Sequence, residues 1–163
     1  MQKEEFLNKI RIELKISKNS EYTIRNYLKA NKELLDFYKK EPENITEDDV
    51  KRFMAEKTSE RSASSIIVFL SALRYSFSTI LKKDITQGIK RPKRERKIPA
   101  VLTKEEVKRL IDSAPTKKSK LMISMIYACG FRVSELINLK LDDLDFDQAI
   151  GYVRQAKGKK DRV

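Results

Sequence analysis

The chain has 163 residues, 36 of them Lys or Arg and 24 Asp or Glu, for a net charge of +12 at neutral pH. That excess fits attraction to a polyanion such as nucleic acid, the plain alternative being a lysine-rich protein with no such partner. A single cysteine, Cys129, excludes an internal disulfide and a cysteine-built zinc site; no uninterrupted apolar run reaches the roughly 18 residues of a membrane span; and the start MQKEEFLNKI lacks a signal-peptide core, so a cytoplasmic chain of one or two small domains is expected.

Helical periodicity organises the first half. Phe6, Leu7, Ile10 and Leu14 predict a short amphipathic helix, and Ile24, Tyr27, Leu28, Leu34, Leu35 and Tyr38 a longer one that begins after Ser20. Thr46 followed by Glu47, Asp48 and Asp49 reads as a helix start ahead of Val50, Phe53 and Met54. The cleanest stripe is Ile66, Phe69, Leu70, Leu73, Phe77, Ile80 and Leu81, behind the polar run 59–65. Four such helices enclose one small core only as a bundle, so residues 1–83 are expected to form a four-helix domain.

From Asp84 to Val101 the periodicity stops. DITQGIKRPKRERKIPAV carries six basic residues against two acidic ones, and Pro92 and Pro99 prevent a continuous helix. Residues 84–101 are therefore expected to be an extended, solvated linker, able to reach about 50 Å if drawn out. Composition alone fits an ordinary soluble tether equally well. A second domain, 102–163, opens with the capping box Thr103 to Glu106 ahead of Val107, Leu110 and Ile111. The segment Leu121 to Ala128, apolar except for Ser124, is expected to be a helix buried on most sides, with Cys129 packed in the same core. Gly130 can close that helix so that another, bearing Val133, Leu136 and Ile137, starts at once. Arg132 then stands at a helix start, where an anion such as phosphate is favoured. Two strands are expected over 141–146 and 150–155, then the basic turn AKGKK and the start of a third strand.

The run Ala128-Cys-Gly-Phe-Arg-Val-Ser-Glu-Leu136, followed by an acidic stretch and by AKGKKDR at 156–162, resembles the tyrosine recombinase (phage integrase) family, closest to its Xer-type members. The resemblance implies a mainly α fold: a four-helix SAM-like core-binding bundle, a basic linker, and the opening helices and β-hairpin of an α+β catalytic domain with a three-stranded sheet. It implies that Arg132 holds the scissile phosphate, that Glu135 orients it, and that Lys157 protonates the leaving 5′ oxygen. Ala156 departs from the family's first glycine in the lysine turn without disturbing the lysine's register. A metal-free reaction through a 3′-phosphotyrosyl intermediate is implied, with no cofactor, double-stranded DNA as substrate, and recombinase subunits assembling as a tetramer on two sites.

Physical chemistry agrees with those roles. Arginine offers a planar fork to phosphate oxygens and stays charged, while a lysine crowded by cations such as Lys159 and Lys160 loses its proton more readily. Taken singly, Arg132 also reads as a helix-start arginine paired to Glu135, worth only about tenths of a kcal/mol, and Lys157 as a solvated turn lysine. The family continues through a second arginine in an H-x-x-R motif and a terminal nucleophilic tyrosine. This sequence has no histidine, and its six tyrosines all lie upstream of the nucleophile's place, so the chain is expected to bind DNA without catalysing. Thr23, Arg25, Ser62, Ser64, Ser65 and Arg74 in the bundle, Lys90, Arg91, Lys93 and Arg94 in the linker, and Lys159 and Lys160 in the turn are candidate DNA contacts, each equally readable as solvated surface. Two alternatives stay open: a non-catalytic DNA-binding accessory or competitor, and a helical protein-interaction domain.

Overall fold

The computed structural model describes residues 1–57, 61–93, 98–156 and 160–162, with residues 155, 156, 160 and 162 described by backbone alone. The chain divides into two compact units, Met1–Lys97 and Ile98–Val163.

The first unit is the expected four-helix bundle: α1 (Lys3–Ile16), α2 (Glu21–Tyr38), α3 (Glu47–Lys57) and α4 (Ala63–Leu81). Side-chain oxygens fix the helix starts. Ser20 Oγ accepts from the Thr23 N–H and Ser62 Oγ from the Ser65 N–H, each at 3.2 Å. At α3 the exchange is reciprocal, the Asp49 N–H donating to Thr46 Oγ1 and the Thr46 N–H to Asp49 Oδ2. Lys39 and Lys82, both at left-handed φ, end α2 and α4. Phe6, Ile10 and Leu14, four residues apart on α1, meet Leu34 and Leu35 of α2, Val50 and Phe53 of α3, and Phe69, Leu70, Leu73 and Phe77 of α4 in one buried cluster. Phe6 meets Phe77 edge-on at 5.1 Å between ring centroids, and Phe53 stacks on Phe69 at 5.2 Å. Within this core Asn31 Nδ2 donates to Ser76 Oγ at 2.8 Å, a polar tie that specifies how α2 and α4 register. By length and composition α4 alone among the described residues could cross a bilayer, despite Arg74 and its serines. Its buried face is the centre of the bundle, and core helices pass the same test.

The expectation of a solvated segment from Asp84 is corrected at its start. Ile85 and Thr86 are buried and Ile89 packs against the bundle core. Two apolar residues, Ile85 and Ile89, are too few to stand out as a periodic stripe beside the basic run that follows, so the reading by periodicity passed over this turn.

The second unit holds α5 (Lys104–Asp112), α6 (Lys117–Cys129) and α7 (Val133–Asn138), a 3-10 turn at Leu141–Asp143, and four short strands. The Thr103–Glu106 capping box forms as expected, with both reciprocal hydrogen bonds present. The burial expected for 121–128 does not: no residue of α6 is buried, Leu121 is 61% and Tyr127 55% exposed, and Cys129 is exposed as well. Among the described residues only α5 and α7 make substantial contact with α6, too few neighbours to cover an apolar helix on most sides. Met122, Met125 and Ile126 pack against a small core of Phe131, Leu136 and Val153.

The expected hairpin between 141–146 and 150–155 forms, with shorter strands and a different sheet. β1 (Leu144–Asp145) pairs antiparallel with β2 (Ile150–Gly151), and β3 (Val153–Ala156) with β4 (Lys160–Arg162), giving two separate two-stranded ladders in place of one three-stranded sheet. Residues 141–143 turn instead of extending, because the Lys140 N–H donates to Asp143 Oδ2 and closes a tight 3-10 turn.

Candidate functional site

Gly130 takes φ +63° and its N–H donates to the Ile126 carbonyl, ending α6 in a conformation that side-chain-bearing residues resist. Phe131 then buries itself, and Arg132 becomes the N-cap residue of α7. Glu135 grips this arginine twice. Its Oε2 accepts from the Arg132 backbone N–H at 2.8 Å and its Oε1 from Arg132 Nη1. The Glu135 side chain is 4% exposed while that of Arg132 is 57% exposed. The carboxylate is thus fixed in the protein and the guanidinium is aimed but open, with further N–H donors for a ligand. With α7 only six residues long, its dipole is short, so anion attraction here rests on the guanidinium charge more than on the helix.

In the first unit a groove between α2 and α4 is lined by Tyr22, Thr23, Asn26, Lys29, Arg61, Ser64 and Ser65, among others. It brings together three of the residues that sequence singled out, Thr23, Ser64 and Ser65. Ser62 is the exposed N-cap of α4, and Arg25 lies over the Tyr22 ring at 5.5 Å. Arg74 is elsewhere, its Nε paired with Asp84 Oδ2 at 3.0 Å. Lys90, Arg91 and Lys93 are exposed and follow the packed turn directly. Arg94, Lys157 and Lys159 lie outside the described residues, as does the side chain of Lys160, whose backbone opens β4.

Sequence reading passed over Asn26, Lys29 and Arg61. Asn26 is three residues beyond Thr23 and Lys29 three beyond Asn26, each pair adjacent on the helix surface, and that spacing was available as a signal. Arg61 had none: its place follows from a salt bridge to Glu33 at 3.0 Å and from stacking over Phe69.

Residues 6–87 match the phage integrase N-terminal SAM-like domain, and residues 100–163 the phage integrase family. A tyrosine recombinase XerA of Pyrococcus horikoshii is 35% identical over 161 residues, which cover 98% of this chain and 54% of that one. Another, of Thermococcus kodakarensis, is 42% identical over 115 residues, covering 69% and 41%. The integrase from mycobacterium phage Brujita shares the fold with a TM-score of 0.52 at 22% identity, over 95% of this chain and 55% of its own. The chain spans about half the length of the curated relatives it matches.

Proposed function

Because the chain belongs to the phage integrase family of tyrosine recombinases, on its Xer-like side, we propose that it is the DNA-binding portion of a site-specific recombinase, gripping duplex DNA without cleaving it unaided. The observation that carries this reading is Arg132, held by a buried carboxylate while its guanidinium stays open. A phosphodiester undergoing exchange needs charge on its non-bridging oxygens stabilised by donors already in place. Arg132 supplies the charge and Glu135 removes the cost of positioning it. Lys157 gives a proton to the departing 5′ oxygen. No metal enters this scheme.

The bundle contributes through the α2–α4 groove, where Thr23, Asn26, Ser64 and Ser65 offer hydroxyl and amide groups and Lys29 and Arg61 offer charge. Such groups set register on the phosphate backbone. Arg25 and Ser62 lie beside the groove, and Lys90, Arg91, Lys93, Arg94, Lys159 and Lys160 add positive charge for phosphate contacts. The protein works in the cytoplasm, and further recombinase subunits assemble with it on paired sites.

Duplex binding by the 163-residue chain at several salt concentrations tests the reading, with a nicked duplex run on a denaturing gel to detect a tyrosyl adduct. Affinity that falls steeply with salt, no adduct, and a loss of binding in Arg132→Ala support it. Absence of binding at low salt refutes it. A stand-alone binding accessory is favoured by one observation, the complete core of the first unit, and it requires that a double variant of Arg132 and Lys157 lose only nonspecific phosphate affinity.

A further inference from the structure

The acidic residues nearest the basic segment pose a physical question. Glu47 and Asp84 oppose DNA by their charge, yet both face the chain as it leaves the bundle. Asp84 Oδ1 accepts from the Thr86 N–H at 2.9 Å and from its hydroxyl at 2.7 Å, while Asp84 Oδ2 accepts from Arg74 Nε at 3.0 Å. Glu47 Oε2 accepts from the Gly88 N–H at 3.0 Å. Lys83 Nζ donates to the Ile45 carbonyl at 2.8 Å, Ile85 is fully buried, and Ile89 packs against the core. Lys90, the first of the basic residues, comes two positions after Gly88.

We propose that the turn 84–89 is an anchor that sets where and in which direction the basic segment leaves the bundle, with Glu47, Asp84 and Arg74 acting as positioning residues for the DNA grip. This rests on the DNA-binding reading above and extends it. A tether whose root is fixed surrenders less freedom when its lysines and arginines meet phosphate, and affinity rises without any added contact. The anchor also gives Arg74 a role different from the one its sequence suggested: it ties Asp84 in place. Burial works against the ionised Asp84, but the hydrogen bonds from Thr86 and the charges of Arg74 and Arg91 hold its carboxyl below the usual range. The Lys51 ammonium and the Gly88 N–H do the same for Glu47.

Two variants of the full chain separate the proposal from simple electrostatics. Glu47→Gln replaces the carboxylate that holds both the Gly88 amide and Lys51 by a neutral, weaker acceptor, and it removes a negative charge beside the basic segment, so charge alone predicts tighter binding to a mixed-sequence duplex. Gly88→Ala changes no charge; its added Cβ falls 2.3 Å from Glu47 Oε1 and pushes the flexible carboxylate off the amide. Gly88 lies outside every helix, so this variant stays informative if Glu47→Gln disturbs the start of α3. With the anchor, both variants bind about threefold to tenfold more weakly. Their salt slope stays that of the wild type, because no phosphate contact is removed, and hydrogen exchange at residues 86–89 speeds up. Tighter binding by Glu47→Gln together with unchanged binding by Gly88→Ala overturns the anchor while leaving the DNA-binding reading intact. If the wild-type chain itself ignores duplex DNA, the binding reading fails and the anchor fails with it.

Discussion

The two units of this chain are built from helices of similar apolar content, yet they differ in what those helices bury. In the bundle, each helix turns its stripe onto the others, and sixteen buried hydrophobic residues form one cluster. In the second unit the buried cluster is Phe131, Leu136 and Val153, while Leu121, Tyr127, Val133, Ile137, Leu141 and Phe146 are exposed. An apolar stripe therefore measures what a segment can bury and not what it does bury. The second unit, with the smaller buried cluster, is the part that carries Arg132.

Substitutions sharpen the contrast, and the largest effect belongs to the bundle. Phe77 is fully buried and edge-on to Phe6, so Phe77→Ala is expected to cost about 3–5 kcal/mol, read from urea unfolding by helical circular dichroism. A loss below about 1 kcal/mol would show a core far looser than its packing.

Next comes Glu135→Ala, which strips the Arg132 N–H and guanidinium of their acceptor and is expected to cost the second unit about 1–3 kcal/mol. Faster hydrogen exchange across α7, with the bundle amides unchanged, is the signature; equal acceleration in both units would break the comparison. DNA affinity should fall alongside, since Arg132 loses its aim.

A smaller effect is tied to pH. Burial disfavours the Asp49 carboxylate, but hydrogen bonds from Lys40 and Thr46 outweigh that and hold its carboxyl below the ordinary value of 3.8. Its contribution is therefore present above pH 3.8 and lost as pH falls through the lower folded value. Asp49→Asn is expected to cost about 1 kcal/mol at neutral pH, as the loss of a helix cap does, and to lose less at the acid end. A constant difference across the titration would contradict this.

The smallest effect belongs to the exposed face. Leu121→Ala should change stability by less than about 0.5 kcal/mol while lowering the fluorescence of a bound hydrophobic dye. A cost of core size would mean that Leu121 is covered in solution.

The helices and their starts were legible because both depend on nearest neighbours in sequence. Ser20, Thr46 and Thr103 cap their helices with the hydroxyls that their positions announced. The Arg132–Glu135 pair was legible for the same reason, three residues being one helical turn. What stayed hidden was set by residues distant in sequence: Arg61 meeting Glu33, Gly88 meeting Glu47, and the bare surface of α6.

Sequence by itself determined the bundle, the break in periodicity at 84–101, the placement of Arg132 after a left-handed glycine, and the family to which these belong. Local hydrogen bonds and apolar period suffice for the helices and the Arg132 turn, because each is fixed within a few residues; the family was carried by the motif residues 128–136 and 156–162. Tertiary structure alone decided that α6 is exposed, that two short ladders replace one sheet, and that the basic segment leaves the bundle from a packed, acid-tied turn. Burial and ion pairing depend on which distant elements arrive at the same place, and one helix's sequence does not encode its neighbours.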